Sequence, residues 1–371
     1  MSFPHLDALL EDPVYGLGGA AKKTKLLAAM QEVTGFHYDN CEPYRRLCDQ
    51  RGFSPEALTR LEDIPYLPAS LFKDLLLISV PEESIHRQIH SSATSSGRPS
   101  KVGLDRETSR RQSKCFNRVV MDRIGNERRK FIVLDEPSTI GRSTMVSARA
   151  STIRSLLFCA SEADACLTED GGNLSLDEEK FIGLMEAAQA AEEPVMLFGF
   201  TFILYMFVVK KLMDQGMSFT LPPRSKVIHI GGWKKLEAAK VSPEKLIADC
   251  SQVFGLQAED IVDFYGFTEQ SGMLYPTCEQ GLRHVPSWAE IVVRDPFTLE
   301  PLGPNQEGLL QFLTPIQTSY PGHSVLTEDI GIIVREEGCP CGRHGTAFKM
   351  TGRAADAEIR GCGDIMADQF A

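Results

Sequence analysis

Apolar and polar positions change their period along this chain, and the changes mark its organisation. Up to about Val80, apolar residues recur at helical spacing between proline-marked turns, as in "AKKTKLLAAMQEVTGFHY" and "SPEALTRLEDIPYLP". In the second stretch Ser54 and Pro55 suit a helix cap and a first helical position. Residues 1–80 therefore read as a helical lead-in. Over residues 81–255 the pattern becomes strand, loop, helix. "KFIVLDEP" and "SKVIHIGGW" read as strands, "DEEKFIGLMEAAQAAEE" as a helix and "SPEKLIADCSQVFG" as a capped helix ending at Gly255. Such alternation predicts an α/β sheet with helices packed on it. A second strand-to-loop junction, "IVDFYGFTEQSG", opens a β-rich part, 256–352, whose strands are "AEIVVRDPFTLEPL", "EGLLQFLTP" and "LTEDIGIIVREEG". The run "PVMLFGFTFILYMFVV", Pro194–Val209, is too short for a bilayer crossing and reads as a buried helix.

Composition narrows the function classes. At 371 residues the chain suits one large domain with a small appendage. A net charge of −11 argues against a general nucleic-acid surface, which needs a concentrated basic face. The start, "MSFPHLDALLEDP", carries acids where a secretory signal carries cations and an apolar run, so a cytoplasmic location is expected. Ten cysteines then suggest reduced thiols, metal ligands or a reactive thiol rather than a disulfide scaffold.

The stretch "HSSATSSGRPSK", His90–Lys101, crowds small hydroxyls and a glycine beside two cations. Backbone amides and hydroxyls in such a turn suit phosphate oxygens, although the spacing is not that of a Walker loop. Three junctions follow in order: "IHIGGW" (Ile228–Trp233), "YGFTE" (Tyr265–Glu269) and "LTEDIG" (Leu326–Gly331). "GRAADAEIRG" (Gly352–Gly361) closes the set. Open α/β sheets take ligands at the carboxyl ends of strands, where "GGW" sits.

This ordered set resembles the adenylate-forming ligase superfamily of acyl-CoA synthetases, luciferases and adenylation domains. Within it the resemblance is to the LuxE-type acyl-protein synthetase family, related to phenylacetate-CoA ligase, from "LPASLFK" (Leu67–Lys73) to the last residues. The resemblance implies a large adenylate-forming α/β domain over residues 1–352 with a β-rich subdomain. A hinge and short tail, 353–371, would stand in place of the small carboxyl-terminal domain and its catalytic lysine. It implies that a carboxylic acid, expected to be a fatty acid, attacks the α-phosphate of ATP to give an acyl-adenylate. Ser92, Thr94, Ser95, Ser96 and Gly97 would cradle the phosphates. Gly231, Gly232 and Trp233 would border the adenine, and Tyr265, followed by Gly266, would stack on it. Thr268 would touch a phosphate, Glu269 would hold Mg2+, Asp329 would bind the ribose hydroxyls, and Arg353 would lie near ribose or phosphate. The chemistry agrees, since carboxylates bind hard magnesium and aromatic faces suit purines.

The loop departs from the superfamily pattern at Thr94, where glycine is usual, and at Ser100, where lysine is usual; Arg98 or Lys101 is the expected substitute cation. In the acyl-protein synthetases a cysteine near the end accepts the acyl group, and Cys362 in "EIRGCGDIM" matches it, with Arg360 nearby to favour the thiolate. The partner would then be an acyl reductase or acyl carrier. Cys278 and His284 in "PTCEQGLRH" and Cys339 and Cys341 in "GCPCGR" form a possible tetrahedral Zn2+ set, with His344 a competing fourth ligand and plain buried cysteines the alternative. "FGFTFILYMFVV" suits either plain core or the wall of an acyl tunnel. Two other functions stay open: adenylation of an acid such as an aryl acid followed by transfer to coenzyme A or a small nucleophile, and a non-catalytic nucleotide-binding subunit.

Overall fold

The middle of the chain buries its apolar runs in a parallel sheet. The computed structural model describes residues 2–91, 98–141, 148–170, 173–233 and 239–354. The chain divides into two compact units: Met1–Val119 with Phe267–Tyr275 and Gln280–Ala371, and Val120–Gly266 with Pro276–Glu279.

In the second unit five parallel strands lie in the order Ile261–Tyr265, Lys226–Ile230, Val195–Phe200, Arg129–Leu134, Ala160–Ala165. Strands covered on both faces are apolar at nearly every position, and Phe131–Leu134 and Val195–Phe198 are fully buried. Two predicted helices cover the sheet. Glu178–Ala191 starts where the Asp177 side chain accepts from Lys180 N at 3.1 Å. Pro243–Phe254 starts where Ser242 accepts from Lys245 N at 3.2 Å and stops at left-handed Gly255, where a Cβ would lie 2.9 Å from the Phe219 carbonyl.

The run Pro194–Val209 is not one helix. Val195–Phe200 is a central strand, and the chain turns helical only at Thr201, passing through a π-helical turn, Leu204–Val209, into Lys210–Asp214. An unbroken apolar run has no period to distinguish a doubly covered strand from a buried helix. Its helical half packs into the apolar core with Phe181, Phe254 and Trp233.

The first unit begins with helices Pro4–Leu9, Gly19–Asn40 and Glu42–Gln50. The expected Ser54–Pro55 helix is instead a pair of single 3-10 turns, Pro55–Ala57 and Leu61–Asp63. The Ser54 hydroxyl donates to Glu56 rather than capping a helix, and the buried Leu58, Leu61 and Ile64 recur every three residues, the period of 3-10 turns. The β-rich part forms an antiparallel sheet in the order Arg283–His284, Ala347–Arg353, Ser324–Arg335, Glu307–Leu313, Glu290–Arg294, with Leu67–Pro68 parallel to Ser324–Arg335.

A polar cluster lies buried within this unit. The His37 and His323 rings stack at 4.7 Å, both fully inaccessible. His37 contacts Ser79 Oγ at 2.7 Å through Nδ1 and the Gln317 carbonyl at 2.9 Å through Nε2, and Tyr44 Oη lies 3.1 Å from His323 Nε2. Burial lowers the His37 pKa to about 3 and that of His323 well below its ordinary value. Both are therefore neutral when folded, whereas the unfolded chain protonates them below about pH 6.5. Protons thus favour unfolding, and stability falls as pH drops from about 6.5 toward 3, by up to about 1 kcal/mol per pH unit for His37, with His323 acting in the same direction. Urea unfolding at pH 7, 6 and 5 should show a shallower acid decline for His37→Gln than for the parent; equal slopes would remove His37 as a cause.

Candidate functional site

In the first unit the chain leaves Phe267 in a single turn, Thr268–Gln270. The Gln270 side chain, wholly buried, donates to the carbonyls of Phe312 at 3.0 Å and Gly322 at 2.9 Å, which fixes that turn. Gly322 must lack a side chain, because a Cβ there would sit 2.6 Å from the Glu269 carbonyl. Glu269 is consequently held with only 7 % of its surface exposed. Removal from water raises its pKa; the Ser100 hydroxyl and the positive charge of Lys73 oppose the rise, and Glu328 adds to it.

Ser100 and Lys73 are the residues the sequence reading missed here. Ser100 stood out only as a position lacking lysine, yet its hydroxyl serves the buried carboxylate. Lys73 closes "LPASLFK", so a signal was present without a role attached. Of the two cations expected to substitute, Arg98 pairs with Asp74 at 2.6 Å. Lys101 is exposed opposite His90, in the hairpin of Arg87–His90 and Lys101–Leu104. The neck of the hydroxyl-rich loop is closed by Ser91 N to the Ser100 carbonyl at 3.0 Å and Ser100 N to Ser91 Oγ at 2.8 Å. Ser92, Thr94, Ser95, Ser96 and Gly97 lie outside the described residues, as do Arg360 and Cys362.

Antiparallel pairing of Ser324–Arg335 with Ala347–Arg353 brings two predicted residues together, Asp329 directly opposite Arg353. Arg353 Nη2 donates to Glu328 Oε2 at 2.6 Å. Thr327 supports this acidic part of the strand, accepting from Asp329 N at 3.3 Å and donating to the Leu310 carbonyl at 2.9 Å.

In the second unit, Lys226–Ile230 and Ile261–Tyr265 are parallel neighbours with Phe264 opposite Ile230. Gly231 and Tyr265 therefore emerge side by side at the carboxyl edge. Gly231 and Gly232 are exposed, and Tyr265 and Gly266 are partly so. Trp233 turns inward instead, 6 % exposed and edge-on to Tyr205 at 5.4 Å.

Cys278, His284, Cys339 and Cys341 each bring one ligand atom to within 4.8 Å of the others. Cys278 lies in the short stretch Pro276–Glu279, joined at both ends to the first unit. Cys341 Sγ is 3.2 Å from His284 Nε2. His344 is outside the group, its Nδ1 being 3.6 Å from Glu337. Glu337 also ties the cysteine-bearing loop to the start of the long amino-terminal helix, accepting from Gly345 N at 3.2 Å and Gly19 N at 2.7 Å. Three sulfurs and an imidazole nitrogen at this spacing suit tetrahedral zinc. None of the nine described cysteines is joined in a disulfide.

No helix among the described residues is long and apolar enough to cross a membrane. The chain is 27% identical over 338 residues to the long-chain-fatty-acid–luciferin-component ligase of Vibrio harveyi, covering 90% of this chain and 85% of that one. Over 91 residues, 22% of this chain and 20% of the relative, it is 33% identical to phenylacetate-coenzyme A ligase of Thermus thermophilus. Its fold matches that of an open 2-hydroxyisobutyryl-CoA ligase, solved with 2-HIB-AMP and CoA, at a TM-score of 0.68 and 17% identity, covering 92% of this chain and 76% of the other. The pattern of the acyl-protein synthetase (LuxE) family matches residues 19–371, and the chain belongs to that family.

Proposed function

We propose that this protein activates a long-chain fatty acid with ATP as an acyl-adenylate and transfers the acyl group to a thiol, its own Cys362. The observation that carries the reading is the family match, whose bounds, residues 19–371, include Cys362. In the first step a carboxylate oxygen bonds to the α-phosphorus and the bond to the β-phosphate oxygen breaks, releasing pyrophosphate. In the second, the thiolate bonds to the acyl carbon and the carbon–oxygen bond to AMP breaks. The thiol proton is given up before attack.

The roles of the side chains follow from their surroundings. Glu269 supplies a hard oxygen ligand whose negative charge has been stripped of most of its water, which fits a divalent cation. Magnesium bound there would offset charge on the phosphates. Thr268, in the same turn, would donate to a phosphate oxygen, Asp329 would accept from the ribose hydroxyls, and Arg353 would add positive charge near them. Tyr265 and the Gly231–Trp233 turn would flank the adenine. The Cys278–His284–Cys339–Cys341 group would hold a structural zinc, closed to substrate because four protein ligands complete its tetrahedron. The acyl group would then pass to a reductase or carrier.

Three outcomes are expected. Glu269→Gln, which keeps the shape and deletes the charge, should slow acid-dependent pyrophosphate exchange by about 10²–10³-fold; an unchanged rate would remove Glu269 from the chemistry. Cys362→Ala, incubated with ATP, magnesium and radiolabelled fatty acid, should retain pyrophosphate exchange but lose label that resists denaturation and is released by neutral hydroxylamine. Persistent label would place the acceptor elsewhere. Elemental analysis should find about one zinc per chain, falling sharply in Cys341→Ser with a Tm lowered by several degrees; a metal-free protein with the parent Tm would leave the four residues as ordinary buried thiols and imidazole.

A further inference from the structure

A hydrogen-bonded array in the second unit fixes the glycine turn from beneath, and no role described so far uses it. Thr201 begins the helical segment that follows the central strand Val195–Phe200, His229 is the penultimate residue of Lys226–Ile230, and Asp263 stands directly opposite His229 on Ile261–Tyr265. All three therefore gather at the carboxyl edge of the sheet. Thr201 and His229 are each 5 % exposed. Thr201 Oγ1 lies 2.6 Å from the Gly231 carbonyl and 2.9 Å from His229 Nδ1. His229 Nδ1 is in turn 3.7 Å from Asp263 Oδ1.

Proton counting orders this array. A carbonyl oxygen only accepts, and threonine has one hydroxyl proton, so the Thr201 proton goes to Gly231. The contact with His229 then requires Nδ1–H to donate to Thr201 Oγ1, which selects the Nδ1-protonated form of the imidazole. The nearby Asp263 carboxylate favours a proton on that nitrogen. Asp263 is itself held by its backbone, whose N–H donates to Thr277 Oγ1 at 3.1 Å and whose carbonyl accepts from Thr277 N at 2.9 Å.

The consequence reaches the exposed side of the turn. No peptide bond among the described residues is cis, so the Gly231 carbonyl and the Gly232 N–H point in opposite directions across one plane. Tying the carbonyl inward to Thr201 aims the Gly232 N–H outward, beside Tyr265. The positive φ of Gly231, 84°, is a conformation glycine adopts without the strain a Cβ would bring.

We propose that Thr201, His229 and Asp263 are positioning residues for ATP, holding the Gly231–Gly232 peptide so that its N–H donates to the bound nucleotide. This rests on the reading of the turn as part of the adenine site. In a site of this kind the loss falls on nucleotide binding and leaves the acid untouched. A residue needed only for folding would lower the yield of folded enzyme without changing the constants of what remains.

The test compares Thr201→Val, Thr201→Ser, His229→Asn and His229→Phe in the full-length protein. Two readings are taken: ATP affinity by calorimetry in the presence of magnesium, and KM for ATP and for fatty acid in pyrophosphate exchange. Thr201→Val and His229→Phe should weaken ATP binding and raise its KM about tenfold or more while moving KM for the acid less than about threefold. Thr201→Ser keeps the hydroxyl and His229→Asn keeps an N–H near Nδ1, so both should recover most of the loss. Folded variants that bind ATP as the parent does, or that raise both KM values together, would overturn the proposal. Should Thr201→Val fail to fold, the His229→Asn and His229→Phe pair decides alone. A parent that binds ATP but exchanges no pyrophosphate with any acid would defeat the proposed reaction, while the calorimetric comparison would still decide the positioning role.

Discussion

Backbone pairing between buried strands is the constraint on which this structure depends. A buried N–H or carbonyl must find a partner, so neighbouring strands cannot slip without loss, and the register decides which side chains meet. In the second unit, parallel pairing ends Lys226–Ile230 beside Ile261–Tyr265 and sets His229 against Asp263. In the first, antiparallel pairing sets Asp329 against Arg353. Residues widely separated in sequence thus become neighbours through ladders made by the apolar positions between them.

Much of this was legible in the sequence because the ladders leave periodic traces. The strands flanking "GGW" and "YGFTE" and the helices capped by Asp177 and Ser242 follow directly from alternation and capping residues. Where the period vanished, so did the reading: Val195–Phe200 looked helical because both of its faces are covered. Ser54 looked like a cap because its competition with Glu56 cannot be seen from residue type.

The candidate site was legible to a different degree. Motif order named Glu269, Asp329 and Tyr265, and ligand type named the cysteine–histidine group. The surroundings that give those residues their properties could not be read the same way. The Ser100 hydroxyl and the Lys73 charge act on Glu269 from more than 160 residues upstream, and nothing in either local pattern points forward to it. Thr201 and His229 looked like ordinary members of apolar runs. Their pairing depends on one hydroxyl proton with two claimants, a fact of geometry rather than of composition. Across the two histidine groups the same side chain serves opposite ends: His37 and His323 are neutral because water is excluded from them, whereas His229 has its tautomer set by its neighbours.

Glu337 carries a consequence for how the chain is made. Its carboxylate holds Gly19 N, 318 positions away, so the long amino-terminal helix emerges from the ribosome without the group that will secure its first turn. The first unit draws on segments that precede and follow the second in sequence, while most of the second is the contiguous stretch Val120–Gly266. Domains that form during synthesis do so as their residues become available. The order of completion is therefore inverted: the stretch Val120–Gly266 can finish its core first, and the helix that starts at Gly19 must wait for Glu337, which is made after that stretch.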